Sequence, residues 1–177
     1  GSQPRRLTQH ATSDNAPAWT PDGRIVFRSM RNRWANFYVM DADGANLKQL
    51  TDNQLDKGTP ILSPDGRWIA YVVPGAKGSS DIHVMPSSGG AARDLTSALS
   101  KNQKSFPSWS PDSQRLTYVE GKDLTLNIKA IQVDGSQPVN ITSNAYTNAY
   151  RCGRPTASAS PLSPAAKAHA PRWPAAT

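Results

Sequence analysis

The chain has 177 residues, enough for one ordinary domain, and a formal net charge of +7. The charge is uneven: Arg151, Arg154, Lys167 and Arg172, with no acid among them, give residues 151–177 a charge of +4 and leave the first 150 residues with only +3. Those 150 residues hold no basic stripe with interleaved aromatics, so nucleic-acid binding is not expected; no apolar run approaches the ~20 residues that span a bilayer, and Cys152, being alone, cannot form an internal disulfide.

In chain order, the elements repeat. Trp19-Thr20-Pro21-Asp22-Gly23-Arg24 returns as Leu62-Ser63-Pro64-Asp65-Gly66-Arg67 and again as Trp109-Ser110-Pro111-Asp112-Ser113-Gln114-Arg115, with prolines 43 and 47 residues apart. A second marker keeps the same phase: Leu7-Thr8, Leu50-Thr51, Leu95-Thr96 and Ile141-Thr142. Leu7-Thr8 reads as the last strand of a blade that begins before it. In the first unit, Pro17-Ala18-Trp19 is a short strand and Pro21-Asp22-Gly23 a turn, where Pro presets φ and Gly accepts a left-handed dihedral. Residues 24–29 are β-branched and aromatic, hence a second strand. A polar break at Arg31-Asn32-Arg33 leads to a third strand over 36–40, a turn at Asp41-Ala42-Asp43-Gly44, and a fourth strand over 47–50.

The second unit places strands at 59–62, 68–73, 81–85 and 92–95, with a flexible loop at 75–78. The third places them at 106–109, 115–119, 126–131 and 138–141. Four short antiparallel strands repeated at this period are the mark of a propeller blade. The expected fold is all-β: a partial β-propeller of four-stranded antiparallel blades within residues 1–150, with blades at about 15–51, 58–96 and 105–142. Rings close with four to eight blades, so the remaining blades of a longer chain are expected neighbours. Each sheet is apolar on both faces and must stack to bury them. Trp19 and Trp109 are expected in those blade-to-blade cores, where Leu62 holds the same position. Asp22, Asp65 and Asp112 are expected to accept backbone hydrogen bonds within their own turns, because the same acid in every unit is structural grammar, not one chemical site.

After Tyr150 the pattern breaks into an Ala/Pro/Ser-rich stretch that reads as disordered. The genetic code gives it another origin. Loss of one base just after the Tyr150 codon, with suitable third bases, converts P-V-W-S-P-D-G-E-R-I-A-F-V-S-S into the residues that now run from Arg151 to Ala165. The recovered proline falls about 13 positions after Thr142, as Pro21 falls 13 after Thr8 and Pro64 13 after Thr51. Residues 151–177 are therefore expected to be a frameshifted remnant of the next blade, with Cys152, His169 and Trp173 carrying no selected role.

Chemistry-bearing motifs are missing. There is no G-x-S-x-G elbow and no glycine-rich phosphate loop. His10, His83 and His169 lack metal-ligand spacing, and His83, between Ile82 and Val84, is expected at a polar or half-buried strand position. Asp41-Ala42-Asp43-Gly44 lacks the continuation of a calcium loop. No catalytic, cofactor-binding or metal residues are expected, and no cofactor.

The W-[ST]-P-D-G-R phrase, the strand ending Tyr38-Val39-Met40-Asp41-Ala42-Asp43-Gly44 and the Leu-Thr marker resemble the WD40-like β-propeller repeat of the TolB family. The resemblance covers residues 5–150. Ser113-Gln114 and Ile128-Lys129-Ala130-Ile131 depart from the pattern. The resemblance implies a non-enzymatic propeller that binds protein partners, envelope proteins among them, in the periplasm or outside the cell. Similar repeats also occur in the N-terminal propeller of prolyl-oligopeptidase-type serine peptidases, which implies the alternative: a substrate-gating propeller whose catalytic domain lies elsewhere.

Overall fold

The computed structural model describes residues 3–122 and 125–142; residues 151–177, with the frameshift reading and Cys152, lie outside them. The architecture is all-β: three four-stranded antiparallel sheets, each formed by consecutive strands in simple meander order. The first blade contains β1 (Asp14–Trp19), β2 (Ile25–Asn32), β3 (Trp34–Met40) and β4 (Lys48–Gln49). The second contains β5 (Ile61–Leu62), β6 (Trp68–Pro74), β7 (Ser80–Pro86) and β8 (Arg93–Asp94). The third contains β9 (Gln103–Trp109), β10 (Arg115–Lys122), β11 (Thr125–Gln132) and β12 (Val139–Asn140).

The middle strands match the β-branched and aromatic runs of the sequence. First strands β1 and β9 begin earlier than the apolar pattern indicates, because each carries a bulge: pairing with the second strand shifts between Asn15 and Ala18, and between Thr117 and Val119 on the partner of β9. At the bulges Ala16 and Phe106 adopt a φ of 51°, each just before a proline. The fourth strands are shorter than expected, two residues each. Residues 75–78, expected as a loop, include a single 3-10 turn, Ala76–Gly78.

Burial follows the two-residue period of a strand buried on both faces. From β6, Ile69, Tyr71 and Val73 face the first blade, where they join Val26, Phe37, Val39 and Leu50 in one core. Phe37 and Tyr71 meet edge to face there, with ring centroids 5.0 Å apart, the preferred aromatic arrangement. Ala70 of β6 and Ile82 and Val84 of β7 face the other way and join Leu116, Tyr118 and Ile131 of the third blade. The first strand of the third blade, β9, packs across β5, β6 and β7 of the preceding sheet.

One expectation is overturned. Trp109 is half-buried in the joint between second and third blades, where its Nε1 donates to the Ile61 carbonyl at 2.9 Å. Trp19, in the equivalent place, is 64% exposed, because no sheet stands on that side of the first blade among the described residues.

Candidate functional site

The repeated phrase forms a rim of turns at one end of the blades. In each, the fourth turn residue donates its N–H back to the carbonyl of the first: Gly23 to Thr20, Gly66 to Ser63, Ser113 to Ser110, at 2.8–2.9 Å. Asp65 and Asp112 accept the backbone N–H two residues on, from Arg67 and Gln114, as the sequence suggests. Asp22 is engaged by side chains, the Thr20 hydroxyl and Arg24 Nε, contacts that Asp65 also makes with Ser63 and Arg67. Hydrogen bonds from Ser63 and from the Arg67 backbone pull the Asp65 carboxyl down to about 2, and those from Thr20 and Ser110 lower Asp22 and Asp112 in the same way. These carboxylates are therefore ionised and already engaged within their own turns, a poor starting point for a general acid or base.

The turns also stack from blade to blade, which the sequence does not show. Pro21 packs against Gly66. Ser113, at the place Gly occupies in the other two phrases, is buried and its Oγ accepts from the Asp65 N–H at 3.1 Å. Between the first two turns lies a groove of about 490 Å³ lined by Pro21, Asp22, Arg24, Asp65, Arg67 and Ser88. A second groove, of about 560 Å³, opens between the outer ends of the first two blades, with Gln49 to Asn53 on one wall and Gly90, Ala91 and Ala92 on the other.

The Leu-Thr marker closes each sheet. Leu50, Leu95 and Ile141 donate their N–H to the third strand, at Phe37, Ile82 and Ile128. The following threonines, Thr51, Thr96 and Thr142, accept the N–H of those same residues at 2.8–3.0 Å. Thr51 then donates to Asn36 Oδ1 and Thr96 to Asp81 Oδ1, both at 3.0 Å.

A buried lysine from the next blade completes this cluster at each internal joint, and sequence reasoning missed both. Lys57, 1% exposed, donates to Asn36 Oδ1 and to the Ala35 and Leu55 carbonyls. Lys104, fully buried, donates to Asp81 Oδ1 at 3.1 Å and to the Ser100 carbonyl at 2.6 Å. Burial pushes the Lys57 amine down to about 8, against the opposing charges of Asp56 and Asp52. Its hydrogen-bond partners are all neutral, which leaves the buried ammonium poorly compensated. A signal existed: each lysine stands seven residues before the proline of its turn, at Pro64 and Pro111.

His83 takes the half-buried strand position expected for it, tilted against the Tyr71 ring and 3.7 Å from Asp94. Burial lowers its pKa more than Asp94 and Asp81 raise it. Among the described residues, no group of three His, Cys, Asp or Glu side chains could hold a metal ion.

Three stacked, four-stranded antiparallel blades with rim turns and inter-blade grooves define a partial β-propeller. Residues 1–157 match the family described as the TolB beta propeller domain, and the chain belongs to that family. An uncharacterised protein of Agrobacterium fabrum is 29% identical over 134 residues, covering 72% of this chain and 42% of that protein. A TolB homolog of Chlorobaculum tepidum is 28% identical over 122 residues, covering 67% and 26%, and an uncharacterised peptidase of Bacillus subtilis is 35% identical over 82 residues, covering 45% and 12%. In structure, a putative TolB from Agrobacterium tumefaciens superposes with a TM-score of 0.62 at 24% identity, over 79% of this chain and 52% of that one. The chain thus spans less than half the length of the curated relatives it matches.

Proposed function

We propose that the protein is a non-enzymatic scaffold that binds polypeptide segments of envelope proteins, in the periplasm or outside the cell. Membership of the TolB propeller family carries the reading. The groove between the first two blades supports it: small side chains at Gly90, Ala91 and Ala92 and the Gln49–Asn53 wall leave room for an extended chain. Rigid sheets presenting loops and strand ends are a good platform for such binding. Among the described residues, no helix is long and apolar enough to cross a membrane.

The test uses the full-length gene product in its source cells. Cell fractionation should place it with periplasmic or secreted proteins, and crosslinking should recover a specific envelope protein. Ala91→Arg and Ala92→Arg, both exposed, should abolish that crosslink without changing the melting temperature. Recovery in the cytoplasm, or crosslinking insensitive to these variants, would overturn the reading.

The match to a Bacillus subtilis peptidase favours a second reading, a propeller that gates substrates for a peptidase domain. Under it, the full-length gene product would hydrolyse prolyl peptides and the gene would encode a nucleophile elbow after the propeller.

A further inference from the structure

The turn between third and fourth strands is closed in the first and third blades and open in the second. In the first blade, Asp41 donates its N–H to the Ala45 carbonyl at 2.9 Å, and the Ala45 N–H donates to Asp43 Oδ1 at 2.8 Å. In the third, Gln132 donates to the Ser136 carbonyl at 3.0 Å, and the Ser136 N–H to Asp134 Oδ1 at 2.8 Å. The matching residues of the second blade are Pro86, Ser88 and Gly90. Proline has no N–H to give, and Ser88 brings no carboxylate to accept from Gly90. Both backbone groups of Gly90 are thereby released. Among the described residues, the N–H and C=O groups of Gly90, Ala91 and Ala92 make no hydrogen bond.

The backbone differs accordingly. Asn46 and Gln137, each one residue after the closed pair, hold a φ of 53° and 51°. In the second blade the positive φ moves to Gly90 itself, at 119°, where a Cβ would meet nothing within 4 Å. Gly90, Ala91 and Ala92 are exposed and lead into the two-residue edge strand β8. They form one wall of the groove of about 560 Å³, across from residues 49–53. On either side of this joint an arginine ties the outer ends together: Arg5 donates to the Asp43 carbonyl and Arg93 to that of Val133. Lys48 holds the same place before its Leu-Thr marker and makes no such bond among the described residues. Of the residues lining the groove, Asp52 alone is charged.

We propose that Gly90, Ala91 and Ala92 form a main-chain docking edge: an extended segment of a partner protein lies in the groove as an added strand and bonds the backbone groups that Pro86 and Ser88 leave unpaired. This rests on the polypeptide-binding reading above and adds how the segment is held. Unpaired N–H and C=O groups beside an edge strand are a template for strand addition. The small side chains at 91 and 92 let a second backbone come close. An occupant held in this way has to be extended and free of proline at the paired positions, and with one charge in the groove its side-chain sequence matters less. The turns of the first and third blades, whose equivalent groups are already engaged, do not accept it.

The probe is a displayed library of random heptapeptides, panned on the full chain, with the tightest binder resynthesised for calorimetric titration. N-methylation of each amide in turn should weaken binding by about 10-fold at alternate positions, whereas single alanine replacements should change it by less than about 3-fold. Pro86→Asp with Ser88→Asp and Ala91→Asn gives the second blade the first blade's turn. That variant should lose peptide binding and keep or raise the thermal midpoint, because it adds hydrogen bonds. The N-methyl series uses the unaltered chain, so it stands even if the variant folds poorly. Absence of any binder, binding that survives the transplanted turn, or affinity indifferent to N-methylation would overturn the proposal. Dimers of the chain that the peptide dissociates would assign the groove to a second copy and overturn it as well. If the peptides behave as expected but crosslinking in cells recovers no envelope protein, the envelope reading fails alone. If crosslinking depends on Ala91 and Ala92 while N-methylation has no effect, the docking edge fails alone.

Discussion

Gly66 has a φ of +70°, and a Cβ added to it would lie 2.5 Å from Cγ and Cδ of Pro21 in the neighbouring turn. Gly23, the matching residue of the first blade, has a φ of +81° with nothing within 4 Å. The two glycines look identical in the sequence and differ only in what stacks on them. Gly23→Ala should therefore cost only the left-handed strain, about 1 kcal/mol. Gly66→Ala adds overpacking against a proline ring that cannot rotate away, for a total of roughly 2–4 kcal/mol. Urea unfolding midpoints of the two variants check the difference; equal losses would mean that the turns do not bear on each other. Ser113 shows the compensation from the other side: it holds a φ of 59° and its hydroxyl accepts the Asp65 N–H. As sequence it reads only as a departure from the phrase.

The element scale is that of the joint, and Lys57 governs the first one. Its amine titrates near 8 when folded, against 10.5 for the exposed group. Between those values the unfolded chain binds the proton that the folded chain has lost, so stability rises with pH across that window and is flat below it. The expected gain is of order 1–3 kcal/mol for a fully buried group, read as a rise in thermal midpoint between pH 8 and 10.5. Lys57→Met should flatten this slope. Asn36→Asp, which gives Lys57 the carboxylate that Lys104 already has in Asp81, should raise the folded pKa and remove most of the slope as well. A midpoint that falls steadily over this range in the unaltered chain, and equally in Lys57→Met, would show that Lys57 is not the titrating group.

The sequence made the blades legible, because strand alternation, the Pro-Asp-Gly turn and the Leu-Thr marker are local and repeat in phase. The joints were not legible to the same degree. Lys57 sits among Asp52, Asn53, Gln54 and Asp56, a context that reads as solvent-exposed; only the neighbouring sheet buries it. Trp19 failed in the opposite sense: its residue type and phase match Trp109, but its environment depends on a sheet that the repeat pattern of this chain cannot supply. The fourth strands fall short of the expected four residues: ladder pairing holds at two positions on each third strand, and beyond them Leu50, Leu95 and Ile141 continue the contact through single N–H bonds and the threonine hydroxyls.

At the scale of the whole molecule, stability is the sum of blades and of the joints between them. The second blade is packed on both faces, through Ile69, Tyr71 and Met85 on one side and Ala70, Ile82 and Val84 on the other. The first blade's outer apolar group, Ile25, Phe27, Tyr38 and Met40, is buried with Leu7 against it. The third blade's outer face is open, with Leu126, Ile128, Val139 and Ile141 each 43–55% exposed. Amide hydrogen exchange should accordingly be slowest in β6 and β7, faster in β2 and β3, and fastest in β10 and β11, because a sheet missing a neighbour opens without breaking a second joint. The open face is also where copies of the chain should adhere to one another. Leu126→Lys combined with Ile128→Lys should reduce light scattering at high concentration and leave the protection of β6 and β7 unchanged. Equal protection of all three sheets would instead mean that they unfold as one cooperative unit, and the charged substitutions would then lower the stability of every blade alike.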